Sequence, residues 1–178
     1  MIINLTIRQE KPADHKTVEA VVKAAFANEA MSDQTEHLLV QRLRKSDAFI
    51  PELSLVGELD RQLVGHILLT KIHIKDGEKR HPSLALAPVS VHPHFQKRGI
   101  GGKLILESHR IAKSLDYQSI VLLGHADYYP RFGYELTSKY NIRLPFEAPE
   151  ECCLVIGLQG DGLNSVTGEV VYSGAFFE

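Results

Sequence analysis

The segment from Gln96 to Lys103 carries the strongest chemical signal in the sequence. It holds three glycines and three cationic side chains within eight residues, between a predicted strand and a predicted helix. Glycine lets backbone amides approach a ligand without interference from a Cβ atom. The first amides of a helix have no partner inside the helix and lie at the positive end of its dipole. We therefore predict a phosphate- or pyrophosphate-binding loop formed by Gln96, Lys97, Arg98, Gly99, Ile100, Gly101, Gly102 and Lys103.

The spacing of these glycines separates the loop from two common phosphate-binding motifs. It fits neither the dinucleotide fingerprint nor the P-loop. The pattern is Gln-x-x-Gly-x-Gly, and it follows Val89-Ser90-Val91-His92-Pro93. This arrangement resembles the acyl-coenzyme A signature of the GNAT superfamily of N-acyltransferases. The resemblance implies that loop amides hold the pyrophosphate of acetyl-CoA and that the preceding bulged strand, with Val89 and Val91, pairs with the pantetheine arm.

A second motif extends the resemblance. The run Tyr129-Pro130-Arg131-Phe132-Gly133-Tyr134 resembles the second GNAT signature, a tyrosine four residues before a glycine-aromatic pair. The chain departs from the family at Gly124-His125-Ala126-Asp127, where many members carry an asparagine. Taken together, the motifs and the order of elements imply a GNAT domain over residues 3–146. We expect residues 147–178 to form C-terminal strands that extend the same domain.

The resemblance also suggests how acyl transfer proceeds. The leaving thiolate needs a proton, and Tyr129 is the predicted general acid because a phenol stays protonated near neutral pH. The alternative is that Tyr129 is a packing residue. The backbone N–H of Val91 or Val89 is the predicted donor to the oxyanion, if the strand opens at Pro88.

The general base and the acceptor site are less determined by the sequence. A lysine-like amine is almost wholly protonated at neutral pH, so a base or desolvation must supply the neutral form. Glu29 lies in a segment that the family uses for acceptor binding, and His125 follows a predicted central strand; we predict both as substrate-binding residues. For the general base, the open alternatives are Glu29, His125, Asp127, His92 and a water relay.

Apolar periodicity predicts the helices that flank these loops. Residues 18–26 repeat with helical spacing after Asp14, which is placed to cap that helix. A second helix is predicted to begin at Asp33, because Asp33 and Glu36 have capping-box spacing. A long third helix is predicted to leave the glycine loop and to end near Leu115.

Alternation and β-branched residues predict the strands. Leu5 and Ile7 indicate an opening strand, and residues 53–76 indicate a hairpin that turns at Asp60-Arg61. A polar loop over 76–82 leads to a strand over 84–91, which Pro88 should bulge because proline donates no ladder hydrogen bond. Residues 119–123 indicate a central strand, and shorter strands are expected near Ile142, over 152–158 and over 169–172. This order predicts a single α/β domain with a mixed sheet flanked by helices and splayed at the cofactor site.

Composition excludes several functional classes. The chain has 178 residues and a net charge of −2, so it carries no basic footprint for nucleic acid. No apolar run is long enough to cross a bilayer, and the N-terminus lacks a secretory pattern. The adjacent Cys152 and Cys153 suit a reduced, cytoplasmic protein. Scattered histidines give no metal-ligand spacing, so we predict no metal site.

The predicted function is transfer of acetyl from acetyl-CoA to a primary amine of a small-molecule or peptide acceptor, by direct transfer in a ternary complex. Two other classes remain open: a non-catalytic acyl-CoA sensor of the same fold, and a nucleotide-phosphate binder. The expected assembly is a monomer or a homodimer, because C-terminal strands could pair across a dimer.

Overall fold

The computed structural model describes residues 4–178. Its helices are α1 (His15–Phe26), α2 (Glu36–Arg44) and α3 (Ile100–Ser114). Its strands, in chain order, are β1 (Leu5–Gln9), β2 (Phe49–Leu59), β3 (Gln62–Asp76), β4 (Lys79–Val91), β5 (Ser119–Leu123), β6 (Glu135–Leu136), β7 (Ile142–Arg143), β8 (Cys153–Gly157) and β9 (Gly168–Val171). Short 3₁₀ helices include Pro93–Phe95 and Tyr129–Phe132.

The strands form one mixed sheet in the order β1-β2-β3-β4-β5-β8-β6. Strands β1 to β4 are successive antiparallel neighbours, whereas β5 runs parallel to β4 after the α3 crossover. Strand β8 pairs with β5 and β6, and β9 pairs with β3 and β7. The predicted mixed α/β fold is therefore confirmed. The separate assignment of residues 147–178 as an extension stays a prediction, although β8 and β9 join this sheet.

The sheet opens between β4 and β5. These strands pair only at Leu84↔Ile120 and Ala85↔Val121. Beyond that point β5 stays paired with β8 as far as Leu123, while β4 continues along β3 to Val91. Over residues 86–91, the backbone edge of β4 that faces away from β3 therefore pairs with no strand of the described chain.

A bulge in β4 coincides with this opening. The register with β3 shifts between Ile67↔Val89 and Leu69↔Leu86, which leaves an extra residue on β4 around Pro88. This confirms the bulge predicted from that proline, since proline cannot donate to the ladder.

Helices cover both faces of the sheet. The face of α3 that carries Ile100, Leu104 and Ile105 packs on β2 to β5, and these three side chains are buried. On the opposite face, α1 and α2 contribute Val22 and Leu43 to a second apolar cluster. The stripe predicted for the first helix is thus its buried face, and α3 ends one residue before the predicted Leu115.

Three local predictions were wrong. The second helix begins at Glu36 rather than at Asp33, because the Asp33 carboxylate accepts hydrogen bonds from the backbone and hydroxyl of Thr35. Asp14 does not cap α1; its carboxylate binds the backbone N–H of Lys11 and the guanidinium of Arg8. The predicted loop over 76–82 is a tight turn around Gly77, with β4 starting at Lys79.

The other predicted turn and the late strands are present. The hairpin turns at Asp60-Arg61, where both residues have positive φ values of 49° and 68°, a conformation typical of two-residue hairpin turns. Within residues 4–178, no helix combines the length and the apolar composition needed to cross a membrane.

A buried polar network ties the N-terminal segment to the sheet. The carboxylate of Glu10 accepts hydrogen bonds from Arg44 at 2.7 Å and from Ser54 at 3.0 Å. The Ser54 hydroxyl also lies 3.1 Å from Nε2 of His66, which is fully buried. Burial lowers the pKa of His66 to about 4 from its ordinary 6.5, because desolvation disfavours the charged imidazole.

This network predicts a loss of stability in mild acid. Because the folded-state pKa of His66 lies below its unfolded value, its contribution is complete above pH 6.5 and declines as pH falls toward 4. We expect His66 to lower the free energy of unfolding by about 2 kcal/mol between pH 7 and 5. Urea unfolding of the H66Q variant should show a shallower pH dependence than wild type. The exposed H94Q variant is the control, and equal slopes for H66Q and wild type would contradict the assignment.

Candidate active site

A cleft of about 1190 Å³ lies where β4 and β5 separate. One wall comes from the end of α1, the α1–α2 connection and the start of α2, and the other from the first turn of α3 and the segment after β5. Most of the predicted site residues line it: Glu29, Val89, Val91, Gln96, Lys97, Gly99, Ile100, Gly101, Gly102, His125 and Tyr129. Two predicted cofactor residues, Arg98 and Lys103, do not line this cleft.

The first turn of α3 presents unpaired amides to the cleft. Gly99 precedes the helix with a φ of +80°, a conformation that favours glycine. The backbone N–H of Lys103 donates to the carbonyl of Gly99 at 3.1 Å. Within residues 4–178 the four preceding N–H groups, from Gly99 to Gly102, donate to no protein acceptor. They converge at the positive end of the helix dipole, as an anion site requires.

The free edge of β4 continues this surface. The N–H of His92 donates to the carbonyl of Val64 on β3 at 2.8 Å. Because backbone groups alternate in direction along a strand, the N–H groups of Val91 and Val89 point away from β3, toward the gap beside β5. The side-chain amide of Gln96 donates to the carbonyl of Val91 at 3.1 Å. Gln96 therefore fixes the loop against the strand.

The second motif packs directly on the first. A Cβ atom added at Gly101 would lie 3.1 Å from the Tyr128 hydroxyl, and one added at Gly102 would lie 3.3 Å from the Phe132 ring. The guanidinium of Arg131 stacks over the Tyr128 ring at 4.7 Å from its centroid. The glycines of the loop thus allow both the approach of a ligand and the close packing of the 3₁₀ helix Tyr129–Phe132.

The two predicted basic residues that do not line the cleft, Arg98 and Lys103, lie on the exposed surface next to residues that do. Arg98 is exposed, with its guanidinium 5.2 Å from the centroid of the Phe95 ring. Lys103 is exposed on α3. The Ile100 side chain, in contrast, is buried in the core, so this residue offers the cleft only its backbone.

Tyr129 is a buried phenol at the floor of the cleft. Its ring is 8% exposed and makes edge-to-face contacts with Tyr128 and Tyr134. Burial raises the pKa of Tyr129 well above its usual 10. Within residues 4–178 no protein group is hydrogen-bonded to its hydroxyl. The side chain is thus a protonated donor that lacks a fixed acceptor in the protein.

The two predicted substrate-binding residues meet across the cleft. Oε1 of Glu29, in the α1–α2 connection, lies 3.3 Å from Nε2 of His125, which follows β5. The Glu29 side chain is 34% exposed and that of His125 is 57% exposed. The pair joins the two walls near the solvent, where such contacts contribute little to stability.

Three residues of the cleft were missed by the sequence analysis. Ser90 and Glu36 line it, and each has a buried side-chain oxygen without a hydrogen-bond partner in residues 4–178. Tyr128 lines it beside Gly101. Its spacing from Asp33 predicted a capping role for Glu36, and nothing in the sequence distinguished Ser90 from other strand serines.

Comparison with known proteins identifies the family. The family described as "Acetyltransferase (GNAT) domain" matches residues 6–137. The chain belongs to the GNAT acetyltransferases. An uncharacterized N-acetyltransferase of Escherichia coli K12, YjhQ, is 34% identical over 141 residues, which cover 78% of this chain and 75% of YjhQ. The predicted family and the predicted acyltransferase class are confirmed.

Two solved structures have the same fold over nearly their whole length. The GNAT family N-acetyltransferase YhbS from Escherichia coli, solved in complex with CoA, superposes with a TM-score of 0.88 at 27% identity and covers 98% of this chain and 92% of YhbS. A GNAT acetyltransferase from Brucella melitensis, solved in complex with acetyl-CoA, has a TM-score of 0.80 at 34% identity and covers 97% of this chain and 98% of that protein.

In the described part of this chain, no group of three or more His, Cys, Asp or Glu side chains is placed to hold a metal ion.

The packing under Tyr129 gives a testable prediction. A Cβ atom at Gly124 would lie 2.5 Å from Cε2 of Tyr129, so the Gly124→Ala variant must displace this ring. We expect a loss of about 1–3 kcal/mol in the free energy of unfolding. Gly160→Ala is the matched control, because a Cβ atom there meets nothing within 4 Å. Equal melting temperatures for the two variants would show that the ring is not held against Gly124.

Proposed function

We propose that this protein is an N-acetyltransferase that moves an acetyl group from acetyl-CoA to a primary amine in a ternary complex. One observation carries the proposal: four unpaired amides at the start of α3 and the unpaired edge of β4 face the same cleft. The first surface suits a pyrophosphate and the second suits the amide groups of an extended pantetheine arm. The CoA and acetyl-CoA complexes of the two relatives support the same ligand.

The cationic side chains around the loop support this ligand further. Lys97 lines the cleft beside the free amides, and the exposed Arg98 and Lys103 lie on the same turn and helix. Phosphate groups of CoA would be attracted by all three charges, which reinforce the helix dipole. Gln96 contributes by holding the loop to Val91, since its side-chain amide is already engaged there.

Acetyl transfer then follows from the geometry of the β4 edge. The nitrogen of a neutral amine attacks the thioester carbonyl carbon, and negative charge develops on the carbonyl oxygen. The N–H of Val91 or Val89 is the proposed donor to that oxygen, because both point into the gap. Collapse of the intermediate forms the amide, breaks the C–S bond and leaves the electron pair on the CoA sulfur.

Tyr129 is the proposed source of the proton for that sulfur. The phenol is protonated at neutral pH, because burial raises its pKa. Since a thiol has a pKa near 8.5, proton transfer from the phenol to the thiolate is uphill by itself, and it is driven by the proton that the cationic acylated nitrogen returns to the phenolate. The proton that leaves the acylated nitrogen restores the phenol, so no net proton is gained or lost from the neutral amine. Glu29 and His125, which meet at the mouth of the cleft, are the proposed acceptor-binding residues.

Other parts of the assignment also remain proposals. The acceptor is a small-molecule or peptide amine, and the protein acts as a monomer or homodimer without nucleic acid or membrane partners. Both cysteines are free thiols, which supports a cytoplasmic location.

Coenzyme A binding tests the cofactor site. Titration calorimetry should detect CoA binding to wild type, whereas the Gly101→Val variant should bind at least about tenfold more weakly, because its side chain would crowd Tyr128 and the free amides. Gly174→Ala is the control, since a Cβ atom there has no neighbour within 4 Å. Absence of any heat with wild type would reject the proposed function, and tighter binding of ATP than of CoA would favour a nucleotide-phosphate binder.

Replacement of Tyr129 tests the chemistry. We expect Tyr129→Phe to lower kcat about 100-fold while leaving KM for acetyl-CoA nearly unchanged, since only the proton donor is lost. The assay follows release of the CoA thiol with a primary amine, and Tyr117→Phe, which lies outside the cleft lining, is the control. An unchanged kcat would remove the role of Tyr129. Binding of acetyl-CoA without thiol release from wild type would indicate a sensor.

A further inference from the structure

The two walls of the cleft differ in charge. Glu29 and Glu36 stand on the wall formed by the α1–α2 connection and the start of α2. Lys97 and Arg131 stand on the wall beside α3, where the Asp127 carboxylate offsets one of these two positive charges. The cationic wall adjoins the amides that we assign to the cofactor. We therefore assign the acidic wall to the acceptor. Its negative charge would attract a cationic acceptor and repel an anionic one.

The Glu36 carboxylate is held in one orientation. Its Oε1 accepts a hydrogen bond from the Ser32 hydroxyl, and that hydroxyl in turn accepts one from the backbone N–H of Gln34 at 2.8 Å. The other oxygen, Oε2, is buried and has no partner within residues 4–178. A buried acceptor without a donor costs free energy, so this oxygen needs a hydrogen-bond donor.

Ser90 supplies a second and independent observation. It lines the same cleft on β4, is only 2% exposed, and its hydroxyl is also without a partner in the described chain. Buried polar groups of native proteins are almost always paired. Both groups line one cleft, where a polar ligand can complete their hydrogen bonds.

Apart from Ser32, the other side chains that line the acidic wall are apolar. Phe26 and Leu39 line the cleft on either side of Glu36 in the sequence, and Met31, also in the lining, is 56% exposed. These side chains suit the methylene groups of an alkyl chain, while the carboxylate suits its charged end.

We propose that Glu36 binds an ammonium group of the acceptor and that the acceptor is a cationic alkylamine without a nearby carboxylate. This inference rests on the proposed function and names the substrate class of the same site. The ammonium donates to Oε2 of Glu36, and Glu29 adds a second negative charge on that wall. The group held by Glu36 is either the amine that becomes acetylated or a second ammonium on the same molecule.

A matched set of amines distinguishes these acceptors. Pentylamine, cadaverine and δ-aminovalerate have the same chain length and differ at the far end, which is neutral, cationic or anionic. In the thiol-release assay, kcat/KM should be at least about tenfold higher for pentylamine and cadaverine than for δ-aminovalerate. A preference for δ-aminovalerate, or thiol release with another primary amine but with none of these three, would overturn the inference. Failure to bind CoA would instead overturn the proposed function.

The Glu36→Gln variant tests the residue itself. It should raise KM for the preferred amine about tenfold or more and leave KM for acetyl-CoA unchanged, because a charge-assisted hydrogen bond is lost only on the acceptor side. Equal effects on pentylamine and cadaverine would place the reacting amine at Glu36, and an effect on cadaverine alone would place its second ammonium there. An unchanged KM for both amines would overturn the proposal.

Two further variants control for structural effects. Glu78→Gln makes the same substitution in the exposed β3–β4 turn and should behave as wild type. Ser32→Ala keeps the charge of Glu36 but removes the hydrogen bond that orients it, and should raise KM for the amine less than Glu36→Gln does. If Glu36→Gln no longer binds CoA in calorimetry, the decision rests on Ser32→Ala, and no change in its KM for the amine would reject the proposal.

Discussion

The early separation of β4 from β5 is the constraint on which the site depends. Two pairs of residues join these parallel strands, after which β5 follows β8 and β4 follows β3. In a continuous sheet, the outward N–H groups of Val89 and Val91 would be paired with a neighbouring strand. The bulge at Pro88 lies where the strands part, so the same stretch of chain opens the sheet and exposes a strand edge.

The cofactor side of the cleft is assembled by two motifs that pack on each other. The first turn of α3 offers amides, and the segment after β5 packs against this turn through Tyr128 and Phe132. The loop glycines are required from both directions, since a side chain would obstruct the ligand on one side and these aromatic rings on the other. Tyr129, on the same 3₁₀ helix, is placed in the cleft by the same packing.

Much of the fold could be predicted from the sequence because local patterns determine it. The hairpin at Asp60-Arg61, the buried strand over 119–123 and the bulge at Pro88 each depend on residue types that are neighbours in the chain. The start of α2 was predicted at the wrong residue because the Asp33 carboxylate accepts a hydrogen bond from Thr35. The capping-box spacing does not reveal this hydrogen bond. The glycine loop could also be predicted because its residues are neighbours in the chain.

The proposed acceptor side was harder to predict because it depends on contacts between distant segments. Glu36 looked like a helix-capping residue, and only the fold shows that one of its oxygens is buried beside the cleft. Ser90 differs from any other strand serine only in what surrounds it. Glu29 and His125 were chosen from their positions in the chain, and their 3.3 Å contact depends on how the α1–α2 connection meets the segment after β5.

The hydrogen bond from Gln96 to Val91 changes how the first residue of the glycine motif should be understood. The Gln96 amide is engaged by main chain, and the carbonyl that it engages belongs to the strand that borders the gap. Its contribution to ligand affinity is therefore conformational: it sets the distance between the strand edge and the helix amides. A replacement at this position would alter the spacing between two ligand-binding surfaces while leaving the chemical groups on both of them intact.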